Sequence, residues 1–185
     1  MSSLPHPTKF VIPLATFVLI AVVLAIGVKH SPDVGVIHSP LIGKPAPSWE
    51  LPELDTHRTF GSKDLRGHWY VLNVWGTWCD TCRLEHRELL AIGQRSAVPI
   101  IGIDWRDDDA QADAYLSQLG NPYRTVTTDH DGRVAIDWGV YGAPETFLVN
   151  PDGVVVYKQI GEMTDQVWRK EFLSRLPRAL AERTS

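Results

Sequence analysis

Residues 70–83 read YVLNVWGTWCDTCR and include both cysteines of the chain, Cys79 and Cys82. The segment begins with six mainly apolar residues, a run that is typical of a buried central strand. A glycine and a threonine interrupt that run, and the residues from Cys79 to about Gln94 have the spacing of an amphipathic helix. The sequence therefore predicts that both cysteines lie where a buried strand ends and a helix begins.

The start of a helix favours thiol chemistry. The first backbone N–H groups of a helix are unpaired, and the helix dipole is positive at that end. Both features stabilise a thiolate at Cys79. Cys82 follows one turn later, close enough to bond to Cys79 and more shielded from solvent. We expect an exposed attacking thiolate at Cys79 and a buried resolving thiol at Cys82.

The number and spacing of the cysteines argue against two structural roles. A small domain held together by disulfides, or a structural zinc site, needs more cysteines, spread along the chain. A lone Cys-x-x-Cys pair instead indicates a redox pair. The net charge is −4 and the chain has no long basic run, which argues against a nucleic-acid partner.

The N-terminal part of the chain contains an uncharged apolar segment, residues 10–28. Its length is close to the roughly 20 residues that a transmembrane helix needs. We predict a cytoplasmic N-terminus at 1–9, a transmembrane anchor at 10–28, a linker at 29–40 and a globular domain at 41–185. The short N-terminus with its lysine favours a single-pass inner-membrane protein whose domain faces the periplasm.

A cleaved signal peptide is the alternative interpretation of this segment. Small residues at Ala25 and Gly27 are compatible with cleavage. The apolar run is, however, longer than the roughly 7–15 residues typical of a signal peptide. In both interpretations the domain is carried across the membrane.

The rest of the domain alternates strand and helix patterns. Strands are predicted near residues 49–51, 98–103, 147–149 and 154–160, a short strand followed by a turn at 59–65, and helices at 107–119, 133–138 and 164–176. This order predicts an α/β fold with a central mixed β-sheet flanked by helices. On the helix that follows Cys79, we expect Leu84, Leu89, Leu90 and Ile92 to be buried and Arg83, Glu85, Arg87 and Glu88 to face solvent.

The Trp-Cys-x-x-Cys motif after an apolar strand closely resembles the thioredoxin superfamily. That superfamily has a cis-proline opposite the cysteine pair, and Pro144, within the segment GAPETF of residues 142–147, matches its position. In the superfamily the backbone beside this proline pairs with the substrate peptide. The resemblance therefore implies a thioredoxin-like fold, with Trp78, Ala143, Pro144 and Thr146 in contact with substrate.

Three motifs narrow the resemblance to the CcmG/DsbE thioredoxin-like proteins of cytochrome c maturation. They are WCDTCRLEH at 78–86, LGNPY at 119–123 and GVYGAPETF at 139–147. The resemblance implies a periplasmic reductant that keeps apocytochrome c thiols free for haem attachment, directly or through a cytochrome c maturation thiol protein. A membrane electron donor would reduce it in turn. No cofactor is implied other than the redox-active disulfide between Cys79 and Cys82.

Two carboxylates are candidate proton acceptors for Cys82. Glu85 lies one turn further along the helix, and Glu145 follows Pro144. In the subgroup both belong to an acidic environment near the disulfide, where a carboxylate can take the proton of the thiol. Asp80 stands between the cysteines, where the subgroup usually has proline. Because acids that disfavour the thiolate stabilise the disulfide, we expect a reducing potential.

Other activities are compatible with the same motif. A general periplasmic disulfide reductase, or an oxidant of folding proteins, would differ mainly in redox potential. A membrane-tethered copper-binding module is a third alternative, since thiolates suit Cu(I), although copper chaperones of this fold resemble a Cys-x-x-x-Cys pattern. His86 is interpreted as a surface histidine, and no metal site is predicted. Trp105 is either a wall of the substrate groove or a core residue.

Overall fold

The computed structural model describes residues 8–29 and 39–184, which fall into two units with their boundary at residues 38 and 39. The first unit contains one helix, α1 (Thr8–Lys29). Among the described residues, no helix has the length and apolar content that crossing a membrane requires, so the predicted span at 10–28 is not confirmed. Most of the predicted N-terminus at 1–9 and of the linker at 29–40 lies outside the described residues.

The second unit is built around a five-stranded sheet with the order β5–β4–β3–β6–β7. Strands β3, β4 and β5 run parallel, whereas β6 and β7 pair antiparallel, which confirms the predicted mixed sheet. The five strands are β3 (Tyr70–Trp75), β4 (Ile100–Trp105), β5 (Thr125–Asp129), β6 (Glu145–Val149) and β7 (Val155–Ile160). Every residue of β3 is buried, as expected for the central strand of a sheet covered on both sides.

Five α-helices belong to this unit, among the described residues, and a short 3₁₀ helix at Ser62–Leu65 follows the second strand of the chain. They are α2 (Asp80–Arg95), α3 (Asp109–Leu119), α4 (Arg133–Asp137), α5 (Asp165–Val167) and α6 (Arg178–Ala181). A π turn at Trp168–Phe172 and a 3₁₀ turn at Leu173–Arg175 continue α5. A small antiparallel pair, β1 (Glu50–Pro52) with β2 (Thr59–Gly61), precedes the main sheet.

Side chains of β3 alternate between two hydrophobic clusters, one on each face of the sheet. Val71 and Trp75 point into the cluster that contains Leu89 of α2, and we call this side the α2 face. Leu72 and Val74 point into the other cluster, with Trp138 after α4, and we call that side the α4 face. Both cysteines belong to the α2-face cluster.

Two expectations about the fold are wrong. Strand β5 was not expected, because its sequence TVTTD has one strongly apolar residue and no alternation of apolar and polar positions. On α2, Leu84 is 68 % exposed whereas Glu85 is fully buried, the reverse of the predicted pattern. Glu85 is buried because other elements of the domain supply it with hydrogen-bond donors, as described below.

Candidate active site

Cys79 and Cys82 form a disulfide at the start of α2, with their Cα atoms 5.3 Å apart. Cys79 is the N-cap residue, and its Sγ accepts the backbone N–H of Cys82 at 3.0 Å. The predicted strand-to-helix placement is therefore correct. The two residues are nearly equally buried, with exposures of 5 % and 4 %, so the expected difference in exposure is absent from the oxidised form. The cysteines differ instead in that only the sulfur of Cys79 accepts a hydrogen bond from the helix start, among the described contacts.

The loop before the cysteines is held by residues at and just beyond the end of β4. Trp78 is 51 % exposed, yet its indole Nε1 donates to the carbonyl of Trp105 at 3.0 Å, and the two rings meet edge to face at 5.6 Å. Thr77 donates through its backbone N–H and its hydroxyl to the carboxylate of Asp107. Trp105 is thus buried in the core, as one of the two interpretations has it, and it supports Trp78.

The predicted cis-proline is present, because the Ala143–Pro144 peptide bond is cis. Ala143 packs against both hydrophobic clusters, including the one that contains the two cysteines. The Pro144 carbonyl accepts the N–H of Gly161, just after β7, at 2.9 Å. Thr146 is fully buried, so its side chain cannot reach a substrate on the surface.

A hydrogen-bond network centred on Asn73 connects β3 to α2 and β6. The Asn73 amide nitrogen donates to Glu85 Oε1 at 3.0 Å and to Thr146 Oγ1 at 2.9 Å. Its oxygen accepts the hydroxyl of Tyr123 at 2.8 Å. The second oxygen of Glu85 accepts the backbone N–H of Met163 at 2.7 Å. Both oxygens of this buried carboxyl are therefore satisfied, entirely by neutral donors.

Burial has a large effect on the acidity of Glu85. The loss of solvation raises its pKa from 4.5 to about 7, although the hydrogen bonds from Met163 and Asn73 oppose this change. A carboxyl with a pKa near 7 can both take and release a proton near neutral pH. Glu85 lies one turn after Cys82 on the same helix, as the sequence predicted.

Glu145 does not share this environment. Along β6, Thr146 points to the α2 face and Glu145 points with Phe147 to the α4 face. There Glu145 Oε2 lies 2.7 Å from Nζ of Lys158, and both side chains are almost completely buried. Burial raises the pKa of Glu145, and the ammonium of Lys158 lowers it. The structure therefore does not bring the two predicted proton acceptors together.

Asp104 is a buried acid that the sequence analysis missed. It lies on β4 opposite Trp75 and is 1 % exposed. Since its neighbours Ile103 and Trp105 point to the α4 face, Asp104 points to the α2 face, the side of the cysteines. Among the described residues, the carboxyl of Asp107 is the one group that can hydrogen-bond to Asp104, and it can do so only when one of the two carboxyls is protonated. Burial, and after it the charge of Asp107, raises the pKa of Asp104 to about 8.

A charged residue inside the apolar run IIGIDW was the signal that could have identified Asp104. His86, which the sequence placed on the surface, is also buried. Its Nε2 lies 3.0 Å from the carbonyl of Gly120, and its ring packs edge to face on Tyr115 at 5.0 Å. Burial lowers the pKa of His86. The histidine therefore joins α2 to the end of α3.

A mixed sheet, a Cys-x-x-Cys disulfide that caps a helix and a cis-proline together define a thioredoxin-like thiol:disulfide oxidoreductase. The Redoxin family model matches residues 41–173. The chain belongs to this family and is of the DsbE type of thiol:disulfide interchange protein.

Relatives and solved structures are consistent with this assignment. The chain is 42 % identical over 164 residues to the thiol:disulfide interchange protein DsbE of Allochromatium vinosum, covering 88 % of this chain and 90 % of that protein. It is 39 % identical over 165 residues to DsbE of Escherichia coli K12, covering 86 % and 89 %. A DsbF homologue from Corynebacterium diphtheriae shares the fold with a TM-score of 0.64 at 24 % identity, over 76 % of this chain and 94 % of that one.

Proposed function

We propose that this oxidoreductase is a reductant of cysteine pairs in apocytochrome c, or in a partner thiol protein, before haem attachment. The observation that carries the proposal is the pair of buried acids, Glu85 and Asp104, on the face of the sheet that holds the cysteines. Neither acid has a cationic partner among the ion pairs of the described residues. With pKa values of about 7 and about 8, Glu85 is partly ionised and Asp104 is mostly protonated at neutral pH. The buried negative charge that Glu85 carries disfavours thiolates nearby and so favours the disulfide over the dithiol. A protein that prefers its oxidised form is a reductant of other thiol pairs.

The exchange proceeds in two displacements. The Cys79 thiolate attacks one sulfur of the substrate disulfide, forming a mixed disulfide and releasing the other substrate sulfur as a thiolate. Cys82 then loses its proton to Glu85 and attacks Cys79, which releases the second substrate thiolate and forms the Cys79–Cys82 disulfide. Two electrons pass from the protein to the substrate. No cofactor besides the cysteine pair takes part.

A membrane position for the chain is part of the same proposal. We place the domain in the periplasm, tethered at the inner membrane by α1, where a membrane electron donor returns it to the dithiol form. Support comes from the exposed large apolar side chains along α1, for example Val11, Phe17 and Leu24. Extraction of cell membranes with alkaline carbonate tests the tether. Retention of the full chain in the pellet is expected, and its release into the soluble fraction would contradict the tether alone.

The reduction potential tests the direction of the reaction. The full chain is equilibrated with graded thiol buffers, and tryptophan fluorescence reports the redox state because Trp75 and Trp78 flank the motif. A potential at or below about −200 mV is expected, in the range of glutaredoxins and thioredoxin. A potential near about −120 mV would place the protein with strong oxidants and overturn the proposal.

The substrate class needs a separate experiment. We compare reduction of two oxidised peptides that differ only in having Cys-x-x-Cys-His or Cys-x-x-Cys-Ala, and then reduction of oxidised apocytochrome c. Faster reduction of the histidine peptide and of apocytochrome c supports the proposed role. Equal rates for both peptides, with no preference for the apoprotein, would assign a general periplasmic reductase.

A further inference from the structure

The loop of residues 139–144 joins α4 to β6 and ends at the cis-proline. Within the loop, Tyr141 is 62 % exposed, whereas Ala143 packs against the cluster that contains the cysteines. The loop is therefore anchored at one end beside the disulfide and open to solvent in its middle. Contacts from β6 and β7 determine how firmly it is held.

Lys158 of β7 contacts both the loop and β6. Its Nζ lies 2.7 Å from Glu145 Oε2 and donates to the carbonyl of Gly139 at 2.9 Å. The same nitrogen lies 5.1 Å from the ring centroids of Tyr141 and Phe147. The lysine side chain is only 4 % exposed, although lysine is almost never fully buried unless paired.

The partner of Lys158 holds the same loop from its other end. Glu145 directly follows Pro144, and its second oxygen accepts the backbone N–H of Tyr141 at 3.3 Å. The ion pair thus connects Gly139 at the start of the loop, Tyr141 in its middle and Glu145 just after its end. These side-chain contacts add to the backbone hydrogen bonds that Gly139, Val140 and Pro144 make with residues outside the loop.

The physical cost of this arrangement points to a geometric role. Removing two charges from water costs several kcal/mol per ion, and a well-packed apolar pair is often as stable or more stable. Stability alone therefore does not explain a lysine and a glutamate at these positions. An ion pair with directional hydrogen bonds, in contrast, fixes a backbone in one conformation.

We propose that Lys158 is a positioning residue for substrate peptides. It touches no reacting atom, and it acts through Glu145 and Gly139 to hold the loop that ends at Pro144 in the conformation that receives a peptide beside Cys79. The role concerns binding of an extended chain and not the exchange step itself. The inference rests on thiol:disulfide exchange and is independent of whether apocytochrome c is the substrate.

The test separates peptide binding from exchange chemistry. Full-chain Lys158→Met is compared with wild type in the reduction of an oxidised disulfide peptide and of a small disulfide, 2-hydroxyethyl disulfide. We expect the KM for the peptide to rise about tenfold, because loss of positioning by distant groups costs one to two orders of magnitude. The rate with the small disulfide and the reduction potential of the cysteine pair should remain unchanged.

Three further variants keep the test decisive. Lys158→Arg retains the charge and should restore much of the peptide KM. The double variant Glu145→Gln with Lys158→Met removes both charges, avoids an unpaired buried ion and should still show the raised KM. Lys63→Met removes a lysine from an exposed pair with Glu50 and should change nothing. A wild-type peptide KM in the double variant, or a parallel loss of both activities in every Lys158 variant, would overturn the inference.

Discussion

Glu85 and Glu145 are two buried glutamates on opposite faces of the same sheet, and their surroundings give them different properties. Glu145 is paired with the ammonium of Lys158 at 2.7 Å. Glu85 is bound by two neutral donors, the amide of Asn73 and the N–H of Met163. Both pKa values are raised by burial, but only that of Glu145 is lowered again by a cation. The same residue type thus serves as an anchored charge in one region and as a proton carrier in the other.

Residues 73 and 146 show how close the two environments are. Asn73 on β3 pairs directly with Thr146 on β6, and Glu145 is the residue just before Thr146. Because successive residues of a strand point to opposite faces, a step of one position separates the cysteine side from the side of Lys158. Proximity in sequence to the cis-proline was therefore a poor guide to the role of Glu145, and strand direction decides it.

The largest expected effect comes from replacing Glu145, the glutamate that is paired with Lys158. Glu145→Gln leaves Lys158 buried without a counter-charge, and we expect the free energy of unfolding to fall by about 4 kcal/mol. Urea unfolding at pH 7.5 measures this loss. The matched control is Glu50→Gln, which breaks an exposed pair and should change stability by less than about 0.5 kcal/mol. Equal, small losses in both variants would mean that the buried pair does not distinguish Glu145.

The unpaired acids predict how stability depends on pH. The pKa of Asp104 is about 8 in the folded protein against 3.8 for a free side chain, so the folded state holds the proton more tightly. The unfolded state loses this proton first, and stability falls as pH rises from about 4 to about 8. Asp104→Asn removes the titration.

Between pH 5 and pH 8, the free energy of unfolding of Asp104→Asn should therefore fall by on the order of 3 kcal/mol less than that of wild type. Urea midpoints at several pH values measure the difference. Asp108→Asn is the control, because Asp108 caps α3 close by in the sequence and is exposed to solvent. Parallel profiles for wild type and Asp104→Asn would show that Asp104 is not a protonated group in the folded state.

Replacing Glu85 should change the rate of the step in which Cys82 attacks the mixed disulfide. If Glu85 takes the proton of Cys82, Glu85→Gln should slow the resolving step about a hundredfold or more, the lower end of the range of general base catalysis. Wild type should show a rise in rate with pH through about 7, the pKa of Glu85, that the variant lacks. Stopped-flow resolution of a mixed disulfide on Cys79 measures both. Glu88→Gln on the same helix should keep the wild-type profile. Retention of that rise in Glu85→Gln would assign the proton transfer to another group.

Local sequence predicted the centre of this site well. Strand β3, the helix start at Cys79 and the proline at position 144 are marked by strong short-range signals: an apolar run, a breaker and a motif. Each of these depends on residues adjacent in the chain. The prediction was accordingly correct to within a residue at the elements that carry the disulfide.

Long-range contacts account for what the sequence did not reveal. Glu85 was expected to face solvent, because its burial depends on Asn73 and on Met163, which lies 78 positions away. Lys158 has the appearance of an exposed residue in an alternating edge strand, and only the fold places it against Glu145. Strand β5 has too few apolar residues to be recognised and is buried by its pairing with β4. Buried polar networks form between distant segments, so periodicity does not detect them.

The smallest expected effect comes from removing the tyrosine hydroxyl that holds Asn73 in position to donate to Glu85. Tyr123 and Tyr115 both pack on Trp75 with ring centroids 5.5 Å away, but only the hydroxyl of Tyr123 reaches Asn73. The hydroxyl of Tyr115 has no hydrogen-bond partner among the described residues. The two tyrosines are therefore a matched pair for the same substitution.

Tyr123→Phe removes a buried hydrogen bond and should lower the free energy of unfolding by about 1 kcal/mol, whereas Tyr115→Phe should have almost no effect. The amide of Asn73 lowers the pKa of Glu85 by donating to its charged form. A less firmly held Asn73 should donate less well, so the inflection in the rate of the resolving step should move to higher pH in Tyr123→Phe only. If both variants leave that inflection unchanged, the acidity of Glu85 depends on burial and on Met163 alone, and the network on the cysteine face is structural.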